Sequence, residues 1–157
     1  MEFELGTAIL AGLAGTAVMT AALYMGYVMG MRMDMPMMLG TMLLPKGAAA
    51  WLLGLAMHFM MGAAFFVVYA VLFDALAIED TVAGWGALFG LAHGTMAGAA
   101  MGMMNVMHPR MEGSAQAGVG ALPAPGFFGL RVSAMAPMAI LMLHVIFGAV
   151  GAAVYTA

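Results

Sequence analysis

Four long apolar stretches, at residues 5–31, 48–73, 82–107 and 132–155, fill most of this 157-residue chain. A helix that crosses a bilayer needs about 20 apolar residues at about 1.5 Å of rise each, and every stretch supplies them. What remains cannot make a soluble surface. Lys and Arg number four, Asp and Glu seven, and the mean hydropathy is +1.07. Soluble domains carry about 25% charged residues, whereas here the share is 7%. That balance excludes an ordinary soluble enzyme, a nucleic-acid-binding protein and a disordered tail. The chain reads as all-α: a single transmembrane domain over residues 1–157, folded as an integral membrane four-helix bundle in a lipid bilayer.

The breaks between the stretches are polar or turn-forming. Loop one holds Arg32, Asp34, Pro36, Pro45 and Lys46, and loop two holds Asp74, Glu79 and Asp80. Loop three runs from His108 to Arg131 and is rich in Gly, Ala and Pro. All four basic residues, Arg32, Lys46, Arg110 and Arg131, fall in loops one and three. The positive-inside rule works best on short loops such as these. It places loops one and three in the cytoplasm and both termini outside a cell membrane. The opening Met1-Glu2-Phe3-Glu4 lacks the basic n-region of a signal peptide, so the first stretch is expected to be a retained helix.

The two halves of the chain resemble each other. Gly12-Leu13-Ala14 recurs as Gly90-Leu91-Ala92, and Arg32-Met33-Asp34 as Arg110-Met111-Glu112. Leu55, His58, Gly62-Ala63 and Val68-Tyr69 recur in order as Leu141, His144, Gly148-Ala149 and Val154-Tyr155. This predicts two tandem helical hairpins related by a pseudo-two-fold axis along the membrane normal, an arrangement that often places sites at the repeat interface. The third stretch carries a glycine zipper, Gly86, Gly90, Gly94, Gly98 and Gly102, and the first has Ala8, Gly12, Thr16 and Thr20 at matching positions. Residues four apart share a helix face, and small ones let backbones approach closely in lipid. Helices one and three are therefore expected to make the tight contacts of the bundle. Asp34 and Glu112, each two residues after an arginine, read as members of interfacial ion pairs.

Three histidines, His58, His93 and His144, lie within the spans, each about 12–18 Å from a helix end and so near the middle of a core of about 30 Å. A polar group in hydrocarbon costs several kcal/mol unless it is satisfied. Imidazoles there should face the bundle interior, and intramembrane ionisable groups are candidate functional sites. No Asp, Glu, Lys or Arg lies deep in a span to pair with them. The available partners are one another, Thr16, Thr20, Thr95, Tyr24, Tyr27 and backbone carbonyls, so the simplest alternative is that each imidazole only joins helices. His108, before Pro109, reads as a helix-end residue.

Twenty-two methionines add a second candidate chemistry. Met96, Met103 and Met107 share a face with His93, and Met25, Met29 and Met33 are spaced by four on helix one. Facing rows would make a thioether ladder. Thioethers and neutral imidazoles suit Cu(I), which gives a metal site of His58, His93 and His144 with Met96 as a fourth ligand. The bland alternative is that methionine fills irregular gaps. The ladder also lies toward the predicted cytoplasmic side, where thiols compete for copper.

With no cysteine there is no disulfide, thiolate metal site or covalent haem attachment. Phosphate-cradling, nucleophile-elbow and zinc-protease motifs are missing, and nothing points to an enzyme. The His-x-x-x-Gly spacing on helices two and four, His58 to Gly62 and His144 to Gly148, together with the glycine-rich third helix, resembles small uncharacterised prokaryotic four-helix membrane proteins assigned to domains of unknown function. The resemblance implies a bundle of two hairpins and carries no activity. Three functions stay open: a midplane His/Met site for binding or handling Cu(I); a b-type haem bundle for electron transfer with His58 and His144 as axial ligands; and a non-catalytic accessory subunit that packs against a second copy or a partner in a membrane complex.

Overall fold

The computed structural model describes residues 3–157; Met1 and Glu2, part of the acidic N-terminus read above, lie outside them. The described chain is all-helical. In order, the α-helices are α1 (Leu5–Val28), α2 (Met35–Gly40), α3 (Ala48–Ala75), α4 (Val82–Ala100), α5 (Met104–Met107) and α6 (Ala136–Tyr155), with 3-10 turns at Met101–Met103 and Phe127–Gly129. Helices α1, α3 and α6 are long and apolar enough to cross a membrane. The third predicted stretch is divided between α4, a 3-10 turn and α5. Its glycines, with Trp85, His93 and Thr95, make α4 less apolar than the other three. The long helices are apolar all round and expose residues such as Leu10, Leu52, Met60 and Leu88, which is the pattern of a membrane span.

The chain divides into two compact units. The first comprises Met1–Leu23, Phe59–Gly94 and Leu141–Ala157, and contains loop two but no Lys or Arg. Its core is aromatic. Phe66, Phe73 and Phe147 are fully buried, and Phe66 meets Phe147 edge-on at 6.1 Å and Phe73 at 6.3 Å. Each such pair adds about 0.5–1.5 kcal/mol beyond area burial. Missing side chains let the backbones close around these rings. A Cβ on Gly12 would stand 2.7 Å from Ala63 Cα and from Gly62 O, one on Gly15 2.7 Å from Phe147 O, and one on Gly86 would strike Gly148 O. Helix α1 thus packs against α3 and α6, and α4 against α6. The glycines of the third stretch do not keep one partner, however: Gly98 faces the Phe128 ring and Gly102 faces Phe127.

The α1–α3 and α4–α6 contacts differ in register. Gly62 O faces Gly12, whereas Gly148 O faces Gly86, whose sequence counterpart in α1 is Ala8, one turn away. The reason is local. Thr16 occupies the space over Gly62, while its counterpart Gly94 lies against the His144 side chain.

The second unit, Tyr24–His58 and Thr95–Ile140, contains loops one and three and all four basic residues. Loop one is not merely a loop. Asp34 caps α2, its carboxylate accepting from Met37 N–H at 3.0 Å and from the Tyr24 hydroxyl at 3.3 Å, and Pro36 fits the first turn. This corrects the expected ion pair: among the described residues Arg32 and Asp34 form none, and Asp34 Oδ1 serves as the helix cap instead. Helix α2 lies directly on α3, where a Cβ on Gly40 would strike Ala50 O and one on Gly54 would strike Pro36 O. In loop three, Leu122 N–H donates to Arg110 O and Glu112 N–H to Leu122 O, both at 2.8 Å, forming an isolated bridge between Met111 and Leu122. Phe128 holds φ at 50°, a conformation that costs about 1–3 kcal/mol, and its ring covers Gly98. Helix α6 begins at Ala136 rather than 132, after this turn, where the Ser133 hydroxyl accepts from Met135 N–H at 3.1 Å.

Candidate functional site

The structure brings two of the three deep histidines together. His93 on α4 and His144 on α6 meet edge-on, with ring centroids 4.7 Å apart and planes at 74°. Helix α4 makes room for this. A Cβ on Gly94 would stand 2.9 Å from His144 Cβ, and one on Gly90 would strike His144 O. Two glycines four apart thus seat one imidazole against the helix that carries the other. Tyr69, from α3, completes the group: its hydroxyl lies 3.2 Å from His93 Nδ1. Phe65 lies against the other side of His93, with centroids 4.1 Å apart, and Phe147 borders it edge-on at 6.1 Å. His144 and Tyr69 are buried and His93 is partly buried.

Chemically this is a neutral set of two imidazoles and a phenol in an aromatic and glycine surround, all within the first unit. His58 is buried on α3 in the second unit. Met96 is exposed on α4. Among the described residues, no group of three or more His, Cys, Asp or Glu side chains is placed to hold a metal ion. The methionine rows also lie outside. Met25, Met29, Met96, Met103 and Met107 are each more than half exposed, and only the ends of the rows, Met33 and Met111, are buried. These side chains do not form a thioether ladder through the interior.

Three of the partners expected for the histidines are otherwise engaged. Thr16 and Thr20 donate to the carbonyls of Gly12 and Thr16, each at 2.7 Å on their own helix, a local bond that serine and threonine commonly make. Tyr24 bonds Asp34 and accepts from Trp51 Nε1 at 2.9 Å. Tyr69 was missed as a partner. Antiparallel pairing would have found it, since Tyr69 and His93 are equidistant from Thr81 in loop two.

His108 is the other residue whose importance its position did not reveal. It ends α5, as its place before Pro109 implied, but it is also fully buried. Its Nε2 lies 2.8 Å from Met38 O and 3.3 Å from the Thr41 hydroxyl, and Arg110 N–H donates to Nδ1 at 3.1 Å. Because Nδ1 accepts, the ring is neutral with its proton on Nε2. The Arg110 guanidinium reaches Thr41 O at 2.9 Å. Loop three is therefore fastened to the end of α2. No family model, curated protein or solved structure matches the chain.

Proposed function

We propose that this chain is an integral membrane four-helix bundle that binds Cu(I) through His93 and His144. The fourth crossing is α4 with its continuation through α5. Parity supports this. Glu4 N–H donates to the Tyr155 hydroxyl at 3.0 Å, so the start of α1 and the end of α6 lie on one side of the membrane. An odd number of crossings would separate them. The tandem-hairpin reading rests on the repeated sequence and on the glycine contacts within each hairpin, with the one-turn slip as its departure from two-fold symmetry. The positive-inside rule sets loops one and three in the cytoplasm.

The observation that carries the copper reading is the edge-on pair of imidazoles with Tyr69 at His93 Nδ1. A ligating histidine usually donates its other ring N–H to an outer partner, which fixes the tautomer and orients the ring. Tyr69 accepting from Nδ1 leaves His93 Nε2 for a metal. Cu(I) matches neutral imidazoles and brings a single positive charge. A divalent ion would carry a larger Born cost, which rises with the square of the charge, and no carboxylate belongs to this group to offset it. His58 and Met96 have no part in the site so drawn. The chain binds or passes copper and catalyses no reaction.

A second reading, the non-catalytic accessory subunit, is favoured by the exposed methionine rows on α1, α4 and α5, with the histidines serving to join helices. Haem ligation by His58 and His144 is the weaker alternative, because Gly94 and the His93 ring occupy the space beside His144. Elemental analysis of protein purified in mild detergent after growth with copper and haem distinguishes the three. About one copper per chain supports the proposal. Iron with a haem spectrum overturns it in favour of haem, and the absence of any metal overturns it in favour of the accessory subunit.

A further inference from the structure

A cavity of about 280 Å³ in the second unit is lined by Tyr27, Arg32, Met33, Met37, Lys46 and Leu122. Two of the chain's four cations thus border one space. Arg110, by contrast, is committed to the carbonyls of Thr41 and Met42, whereas among the described residues Arg32 and Lys46 make no side-chain hydrogen bond or ion pair. Asp34 also lines the cavity; its Oδ1 accepts from Met37 N–H and the Tyr24 hydroxyl, and against its one negative charge the two cations leave the lining with an excess of positive charge. The remaining walls are thioether and aliphatic, with the Tyr27 phenol.

The cavity adjoins an aromatic group of the kind that marks the level of lipid headgroups. Tyr24 lies 6.4 Å from Tyr27 and 6.5 Å from Trp51, ring to ring. Basic pockets at this level on the cytoplasmic side bind anionic headgroups. We infer that this cavity holds the phosphate group of an anionic membrane lipid against Arg32 and Lys46, with the methionine wall taking the start of the acyl region. The site is independent of the histidine pair and stands or falls apart from copper.

Native mass spectrometry of the full chain in detergent, with phosphatidylglycerol or phosphatidylcholine of identical acyl chains added, tests this. Phosphatidylglycerol should bind saturably and in preference. Each basic group near an anionic headgroup contributes about fivefold, so Arg32→Gln with Lys46→Gln should weaken binding by about 25-fold. The charge-preserving pair Arg32→Lys with Lys46→Arg should keep the preference, and Arg131→Gln, outside this cavity, should leave it unchanged. Equal binding of the two lipids overturns the inference, as does full retention of phosphatidylglycerol by the double glutamine variant. Saturable binding of inorganic phosphate without a preference for phosphatidylglycerol overturns the lipid assignment and makes the source soluble.

Discussion

Replacing His108 tests how loop three is held to α2. His108→Leu keeps much of the side-chain volume and removes both polar functions. Arg110 N–H then loses its acceptor, and a stranded donor costs about 1–3 kcal/mol. Met38 O loses its imidazole donor and keeps only a share of the Thr41 hydroxyl, which lies 3.1 Å from it and 2.6 Å from Met37 O, so that loss is at least the net value of one hydrogen bond, about 0.5–1.5 kcal/mol. Together the variant should lose about 1.5–4.5 kcal/mol. Two further substitutions divide the effect. His108→Asn carries a carbonyl oxygen near the Nδ1 position and should recover the Arg110 part. His108→Gln carries an N–H toward the Nε2 position and should recover the Met38 part. Stability is measured by reversible unfolding in detergent, followed by the fluorescence of Trp51 and Trp85. Trypsin supplies an independent readout, because cleavage after Arg110 should accelerate once the loop is released. A His108→Leu protein within about 0.5 kcal/mol of wild type and equally resistant to trypsin would refute the reasoning.

Other substitutions probe the packing and the site. Gly148→Ala sets a methyl group against Gly86 O, backbone that cannot rotate away, and should destabilise by about 1–3 kcal/mol or more; Gly84→Ala, with nothing within 4 Å of the added carbon, should be neutral or stabilise by up to about 1 kcal/mol. Thermal unfolding in detergent compares the two. Tyr69→Phe should cost about 0.5–1.5 kcal/mol of stability and weaken copper binding by about 10–100-fold, read by competition with a chromophoric Cu(I) chelator. Met25→Leu, Met103→Leu and Met107→Leu combined should change neither stability beyond about 0.5 kcal/mol nor copper stoichiometry. Loss of copper from that triple variant would return the thioethers to the site.

The all-helical character and the three helices long and apolar enough to cross a membrane were legible because a long unbroken apolar run is recorded directly in hydropathy. Their ends were less so. Helix α6 starts at Ala136 because Phe128 and Gly129 turn the chain at positive φ, which apolar composition does not encode. Helix α2 could have been read from Asp34 followed by Pro36, an N-cap residue and a first-turn proline. Depth along a helix placed His93 and His144 near one level, yet depth alone could not say which helices adjoin. The glycines at 90 and 94 decided that, since they seat His144 against α4. The methionine rows show the opposite limit. Spacing put each row on one helix face, but α1 ends at Val28, before Met29 and Met33, and a 3-10 turn at Met101–Met103 divides the other row; an apolar stripe suits an exposed apolar surface as well as a core, and exposure put Met25, Met103 and Met107 outside. The place of His108 at a helix end was legible but its burial was not, because that depends on loop three folding back, through Arg110 and Leu122, onto α2.

Copper binding by single-histidine variants bears on the site with fewest intermediate assumptions. Purified wild type, His93→Leu, His144→Leu and His58→Leu proteins would be titrated with Cu(I) against a chromophoric chelator, with size-exclusion profiles showing that each remains folded. The wild type and His58→Leu should each bind about one equivalent, and His93→Leu and His144→Leu should bind none tightly. Full binding by both His93→Leu and His144→Leu, or no binding by the folded wild type, would contradict a copper site at this pair.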